Sequence, residues 1–201
     1  AFIIFFAPGA IGQINAGERG VVFKFGAVQE NIFGEGIYFL WPVVYSVEVM
    51  TVQTQAFEAH AVEAASHDLQ TVKTNITLNY HLDPGQVNTV YQTLRKDYQA
   101  RVISPVVQDT VKRTTALFKA EELITQRAQV RDGIDTYLRD RLSSYGIVVE
   151  SANITNFDFS PDFTHSIEQK VVAQQLALKA ENDLVRVKTE AQQRIEQAKA
   201  E

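Results

Sequence analysis

From Asp162 to Glu201 the chain contains neither proline nor glycine. The two residues that most readily break a helix are thus missing from a continuous run of 40. Ser160-Pro161 stands just before it, a good helix cap followed by the residue best suited to a first helical turn. A helix of that length would reach about 60 Å, against a mean of roughly 11–12 residues in globular proteins. Its apolar positions are sparse: Phe163, Ile167, Val171, Leu178, Leu184, Val187, Ala191, Ile195 and Ala198. Steps of three, four and seven dominate, and Glu190 with Arg194 makes a favourable i,i+4 pair. A narrow stripe on so long a helix is not stable alone in water and calls for a partner helix, as in a coiled coil. Val171, Leu178, Leu184 and Ile195 are the expected seam. Ala200-Glu201 carries no stop signal, so the helix is expected to continue beyond residue 201.

The other end constrains the chain differently. Residues 1–17 are uncharged and open on AFIIFF, while the only methionine is Met50. Phe2, Ile3, Ile4, Phe5 and Phe6 read as the distal end of an N-terminal transmembrane anchor, with residues 1–14 as its last part. The stretch is too short to span alone, since a spanning helix needs about 20 apolar residues. Pro8-Gly9 would end a helix there. The alternative is a buried strand, because such residues are β-prone.

Charge narrows the partners. The net charge is −5, and residues 1–66 hold six acids against Arg19 and Lys24. No basic stripe exists to meet a phosphate backbone, so nucleic acid is not an expected partner. An acidic N-terminal part is repelled by anionic lipid, so membrane attachment must come from apolar insertion. There is no cysteine, which excludes disulfides, thiolate metal sites and cysteine nucleophiles.

Between the ends the chain reads as α+β. Residues 20–82 are strand-rich. The clearest strand runs from Leu69 to Leu82: Val72, Thr74, Ile76, Leu78, Tyr80 and Leu82 alternate with polar residues, the period of a half-buried strand. Asp83-Pro84 is expected to open a helix carrying Val87, Val90 and Leu94. Pro105 must kink or restart the helix that follows. Thr125 is expected to open another, with Val130, Ile134, Leu138, Leu142 and Tyr145 on its apolar face and Gly146 at its end. Ile147–Phe159 reads as a strand.

No constellation for catalysis emerges. His60, His67, His81 and His165 do not pair at helical spacing, so no metal site and no cofactor is expected. His81 reads as a polar-face strand residue, His60 and His67 as loop residues. Gly34-Glu35-Gly36 reads as a turn, not a dinucleotide loop. No serine lies in a GxSxG or SxxK pattern. Glu121-Glu122 reads as the acidic first turn of a helix. What remains is apolar surface. Residues 36–45 carry no charge and include the only tryptophan. Tyr38, Phe39, Leu40, Trp41 and Pro42 are the candidate contacts with a lipid interface, the alternative being an internal strand.

Several segments together resemble a known family. Gly17-Glu18-Arg19-Gly20-Val21-Val22-Phe23, then Phe25-Gly26 and Gly34-Glu35-Gly36, are similar to the start of the stomatin/prohibitin/flotillin (SPFH, band 7) domain. Asp68-Leu69-Gln70-Thr71-Val72, Asp97-Tyr98 with Arg101-Val102-Ile103, Ala120-Glu121-Glu122-Leu123-Ile124-Thr125 and Asn156-Phe157-Asp158-Phe159 are similar to its prohibitin branch. The spelling resembles bacterial or cyanobacterial homologues more than the mitochondrial pair.

The resemblance implies a first SPFH subdomain over 15–82, a second over 83–160 and a helix for oligomer packing over 161–201. It implies a non-enzymatic scaffold, anchored by a single pass in a bacterial plasma membrane or a cyanobacterial plasma or thylakoid membrane. Such a scaffold self-assembles into a large ring or cage and organises a membrane microdomain and its membrane proteins, including AAA proteases. A small stomatin-like adaptor of a channel or transporter is the second expectation, and a serine hydrolase the third.

Overall fold

The computed structural model describes residues 11–200, with side chains through residue 193. Phe2, Ile3, Ile4, Phe5 and Phe6 lie outside the described residues. The chain divides into two compact units, one up to Asp158 and one from Phe159.

Among its described residues the first unit is built on three sheets. Strands β1 (Ile11–Ile14) and β4 (Gly36–Phe39) form a two-stranded sheet. Strand β2 (Glu18–Lys24) lies between β3 (Ala27–Phe33) and β5 (Tyr45–Thr51). Phe25 and Gly26 join β2 to β3 with positive φ at both residues, 49° and 83°, as a two-residue hairpin requires. The third sheet has the order β6 (Gln55–Ala65), β7 (Thr71–Leu82), β8 (Ile147–Phe159). It therefore draws strands from both sides of residue 83.

Residues 11–14 belong to this unit, which corrects their assignment to the end of an anchor. Their backbone is paired with β4, and Ile14 is buried against Gly20, where a Cβ would come within 2.6 Å of the Ile14 Cδ1.

The alternation in β7 is fully realised: Val72, Thr74, Ile76, Leu78, Tyr80 and Leu82 are all buried. Helices cover the sheets. Helix α1 (Val87–Leu94) packs on β2 and β3, with Tyr91 edge-on to Phe23 at 5.2 Å. Its start is later than expected because Asp83–Gln86 forms a turn, with the Asp83 carboxylate accepting the Gly85 N–H at 2.9 Å. A π turn (Gln99–Ile103) leads without a break into α2 (Ser104–Thr115), and this wider turn is where the helix accommodates Pro105, which has no N–H to donate.

Two helices, α3 (Ala120–Thr125) and α4 (Arg127–Ser143), replace the single one expected from Thr125. Glu121 and Glu122 do lie in the first turn of α3, where the Glu122 carboxylate accepts the Lys119 N–H at 2.8 Å. Val130, Ile134, Leu138 and Leu142 are completely buried, while Tyr145 is exposed. Gly146 ends the helix at φ 71° and its carbonyl accepts the Asp83 N–H.

The second unit is dominated by α5 (Pro161–Ala200), 40 residues long. Ser160 caps it, its hydroxyl oxygen accepting the Phe163 N–H at 3.3 Å, and Phe159 packs against Phe163 at 5.2 Å.

Candidate membrane-facing and self-packing surfaces

Side chains along β4 and the turn after it alternate with period two. Ile37, Phe39, Trp41 and Val43 are 79%, 64%, 69% and 77% exposed, while Tyr38, Leu40 and Pro42 are half-buried. Of the five candidate lipid contacts, then, Phe39 and Trp41 face outward. Tyr38 faces the other way, its ring 5.6 Å from that of Phe33 and lying over Gly12, its cross-strand partner. A Cβ at Gly12 would collide with the hydroxyl end of the Tyr38 ring, so any other residue there would have to displace that ring.

Two exposed apolar residues outside the expected run lie next to it in the fold. Ile11, directly opposite Phe39 in the ladder, is exposed on the same face. Phe25, also exposed, donates its backbone N–H to the Val44 carbonyl at 2.8 Å. The turn itself is held by the Trp41 carbonyl, which accepts the N–H groups of Val44 and Tyr45. The nearest carboxylate in sequence, Glu35, is paired with Arg19 at 3.0 Å, which holds its carboxyl below the ordinary range.

On α5 the apolar side chains are exposed, and they form two rows instead of one seam. At about 100° per residue, Val171, Leu178 and Val185 drift by only about 20° per seven residues. Leu184 stands about 120° away from Leu178 and belongs elsewhere. With Ala173 it starts an 11-residue repeat that also pairs Leu176 with Val187 and Ala180 with Ala191. The two rows lie on roughly opposite sides of the helix. Ile195 lies among residues whose side chains are not described. So does Arg194, the expected partner of Glu190; among the described side chains Glu190 lies 3.9 Å from Arg186.

The polar clusters of the first unit read as structure. Thr54 and His81 both meet the Glu150 carboxylate at 2.8 Å, which lowers its pKa. The Thr54 hydroxyl gives its hydrogen to the carboxylate and not to the imidazole, so the three do not form a hydroxyl–imidazole–carboxylate relay. Tyr80, whose burial pushes its phenol up to about 12, joins Gln55, Tyr98 and Gln99 in a closed hydrogen-bond set. His60 lies within β6 and not in a loop, at a bulge between Ala59 and Val62. Among the described residues no group of three or more His, Asp or Glu gathers to hold a metal ion, and no helix is long and apolar enough to cross a membrane.

Residues 12–201 match the model of the SPFH domain / Band 7 family. The chain belongs to that family. Among relatives of this SPFH protein, it is 32% identical over 190 residues to Prohibitin-1 of Saccharomyces cerevisiae, covering 94% of this chain and 66% of that protein. It is 31% identical over 197 residues to Prohibitin-2 of the same yeast, covering 98% and 63%. It is also 31% identical over 175 residues to the Mitochondrial prohibitin complex protein 1 of Caenorhabditis elegans, covering 87% and 63%. The SPFH chain thus spans somewhat under two thirds of the length of these relatives.

The signals for Ile37 and Val43 were present in the uncharged run. Ile11 could be found only through pairing, because it comes to the row across a ladder.

Proposed function

We propose that this protein is a non-enzymatic membrane scaffold that assembles from many copies. In this reading residues 2–6 end an anchor, the first strands lie on the bilayer, and α5 builds the wall between protomers. The scaffold encloses a patch of membrane and the membrane proteins within it, membrane-bound proteases among them. The domain assignment that follows is a lipid-facing part up to about residue 54, a second α+β part to about residue 160, and the assembly helix.

The observation that carries the reading is the outward row Ile37, Phe39, Trp41 and Val43. Four consecutive outward positions of a strand and turn are large and apolar, where a soluble edge would carry charge. The absence of a basic patch leaves apolar insertion as the means of attachment. Similarity to prohibitins, one of which is named as a complex protein, supports assembly.

The two rows of α5 favour a ring over a stomatin-like dimer. A two-fold dimer uses one patch per subunit, whereas a closed ring needs two different patches, one for each neighbour. Val171, Leu178 and Val185 offer one; Leu176, Leu184 and Val187 offer the other.

The test is particle size after mild detergent extraction of the full-length protein. A particle of many protomers is expected, and Leu178→Asp and Leu184→Asp should each reduce it, since they break different contacts of the ring. A monomer or dimer from the unaltered protein overturns the ring.

A further inference from the structure

Two large apolar residues adopt a backbone that bulky side chains disfavour, Phe25 at φ 49° and Leu69 at φ 60°, and both are exposed, at 75% and 85%. Their surroundings differ. Leu69 follows His67 and Asp68 in a turn fastened from several sides. The Ser66 hydroxyl donates to the Asp68 carboxylate at 2.7 Å, the Leu69 N–H to the Ser66 carbonyl at 3.0 Å and the Ala120 N–H to Asp68 at 2.9 Å. Those bonds account for its shape.

Phe25 stands at the tip of the β2–β3 hairpin, where Lys24 pairs with Ala27 and only Phe25 and Gly26 lie between. A two-residue turn with positive φ at both positions favours Asn-Gly or Asp-Gly, because a short polar side chain tolerates the left-handed region. A phenyl ring in the first position destabilises the turn and gains little from the core. Lys24, Phe25, Gly26 and Ala27 are all exposed, and a Cβ on Gly26 would meet no atom within 4 Å beyond its chain neighbours.

What suits the ring is set by the neighbours of the tip. The Phe25 N–H donates to the Val44 carbonyl at 2.8 Å, and the turn that carries Val44 also carries the exposed Trp41 and Val43. Between Arg19 and Glu30 the only charge is Lys24, and between Glu35 and Glu48 there is none. Two adjacent turns thus present rings and aliphatic groups with no carboxylate among them. The single charge, a Lys24 Nζ 6.0 Å from the centre of the Tyr45 ring, has the sign that lipid phosphates attract.

We propose that the Phe25-Gly26 tip is a second point of insertion into the bilayer interface, where the turn gives up stability to present a ring that lipid covers. This role rests on the β4 row facing lipid and adds a segment from another sheet, with a signature of its own. The substitution that improves the turn should impair the attachment.

The test uses the full chain with phosphatidylcholine vesicles. In Phe25→Asn the urea midpoint should rise, since Asn-Gly suits this turn. The lipid concentration at half-shift of Trp41 emission should rise too, by about 20-fold for half-immersion of roughly 150 Å² of ring surface. Leu69→Asn, at a position equally strained and exposed but flanked by His67 and Asp68, should leave that lipid midpoint unchanged. Phe25→Trp in a Trp41→Phe background should be quenched by lipids brominated near the headgroup. If that chain keeps aqueous emission while Trp41 of the unaltered chain shifts to the blue, the tip is not an insertion point although the row still faces lipid. If neither shifts, both assignments fail. An unchanged lipid midpoint in Phe25→Asn, or an equal rise in Leu69→Asn, would overturn the proposal. So would a lower urea midpoint in Phe25→Asn, which would give the ring a role in the fold. A smaller detergent particle in Phe25→Asn with lipid binding intact would overturn it as well, by giving the tip to a neighbouring protein.

Discussion

Replacing Phe39 by serine should loosen the grip of this protein on neutral lipid without unfolding it. The ring offers about 200 Å² of side-chain surface, of which 64% is exposed, leaving about 130 Å² to bury. At ~25 cal/mol per Å² full immersion is worth about 3 kcal/mol, and half-immersion at an interface about 1.6 kcal/mol. The second figure corresponds to roughly 15-fold in partitioning. Trp41 is the only tryptophan and lies two residues along the same outward row, so its emission reports on this surface alone. Phosphatidylcholine vesicles should shift that emission to the blue, and lipids brominated near the headgroup should quench it. In Phe39→Ser the lipid concentration at half-shift should rise by about 15-fold, with little dependence on salt because no polybasic patch contributes. If Trp41 keeps its aqueous emission at saturating lipid, the row does not face the bilayer. If Phe39→Ser leaves the midpoint where it was, burial of this ring is not what holds the protein there.

The remaining expectations concern the fold that presents the row. Leu138→Ala, in the wholly buried stripe of α4, should cost about 2–5 kcal/mol in urea unfolding, a cavity in a packed core. Gly146→Ala should cost at least about 1 kcal/mol, since it forces an alanine to φ 71° and brings its Cβ to 2.9 Å from the Val90 Cγ2. Asp68 accepts from the Ser66 hydroxyl at 2.7 Å and from the Ala120 N–H at 2.9 Å, and these bonds hold its carboxyl below its ordinary value. Its stabilising effect is therefore complete above the unfolded-state pKa near 3.8 and is lost as pH falls through the lower folded value. Asp68→Asn should flatten that part of the acid limb in a pH series of melts.

Legibility from sequence followed the range of the interactions involved. The alternation of β7 and the four-residue steps of α4 could be read directly, because one buried face imposes its period on neighbouring residues. The bounds of β8, Ile147 and Phe159, were visible because Gly146 and Ser160-Pro161 punctuate both ends. Strand β6 was hard to see: it is rich in alanine and glutamate, poor strand formers, and it exists because β7 pairs with it. Asp83-Pro84 carries the chemistry of a cap, yet the Asp83 carboxylate closes a turn first. Ile11 joins Phe39 only through a ladder across 28 residues, which no local pattern announces. The expected seam on α5 divides on a helical wheel for a different reason. Counting in steps of three, four and seven admits Leu184, but a six-residue step from Leu178 crosses a third of the helix circumference.

Two exposed apolar surfaces on one chain call for different neighbours, and their composition tells them apart. The outward row of β4 and its turn is made of Phe, Trp, Ile and Val, bulky and without charge for ten residues around it. Rings of that kind are at ease in the disordered, half-dry interface of a bilayer and need no matching shape opposite them. The rows on α5 are built from alanine, valine and leucine, and they are bordered by Arg186 with Asp183 and Glu190. Small residues let helices approach closely, and fixed ion pairs at the border select orientation and register, which lipid would not reward. One row repeats every seven residues and the other every eleven, and the two periods drift around the helix in opposite senses, so the two faces present different surfaces to their neighbours. The composition of one surface therefore suits a lipid interface and that of the other suits packing against helices, which is what the proposed scaffold requires.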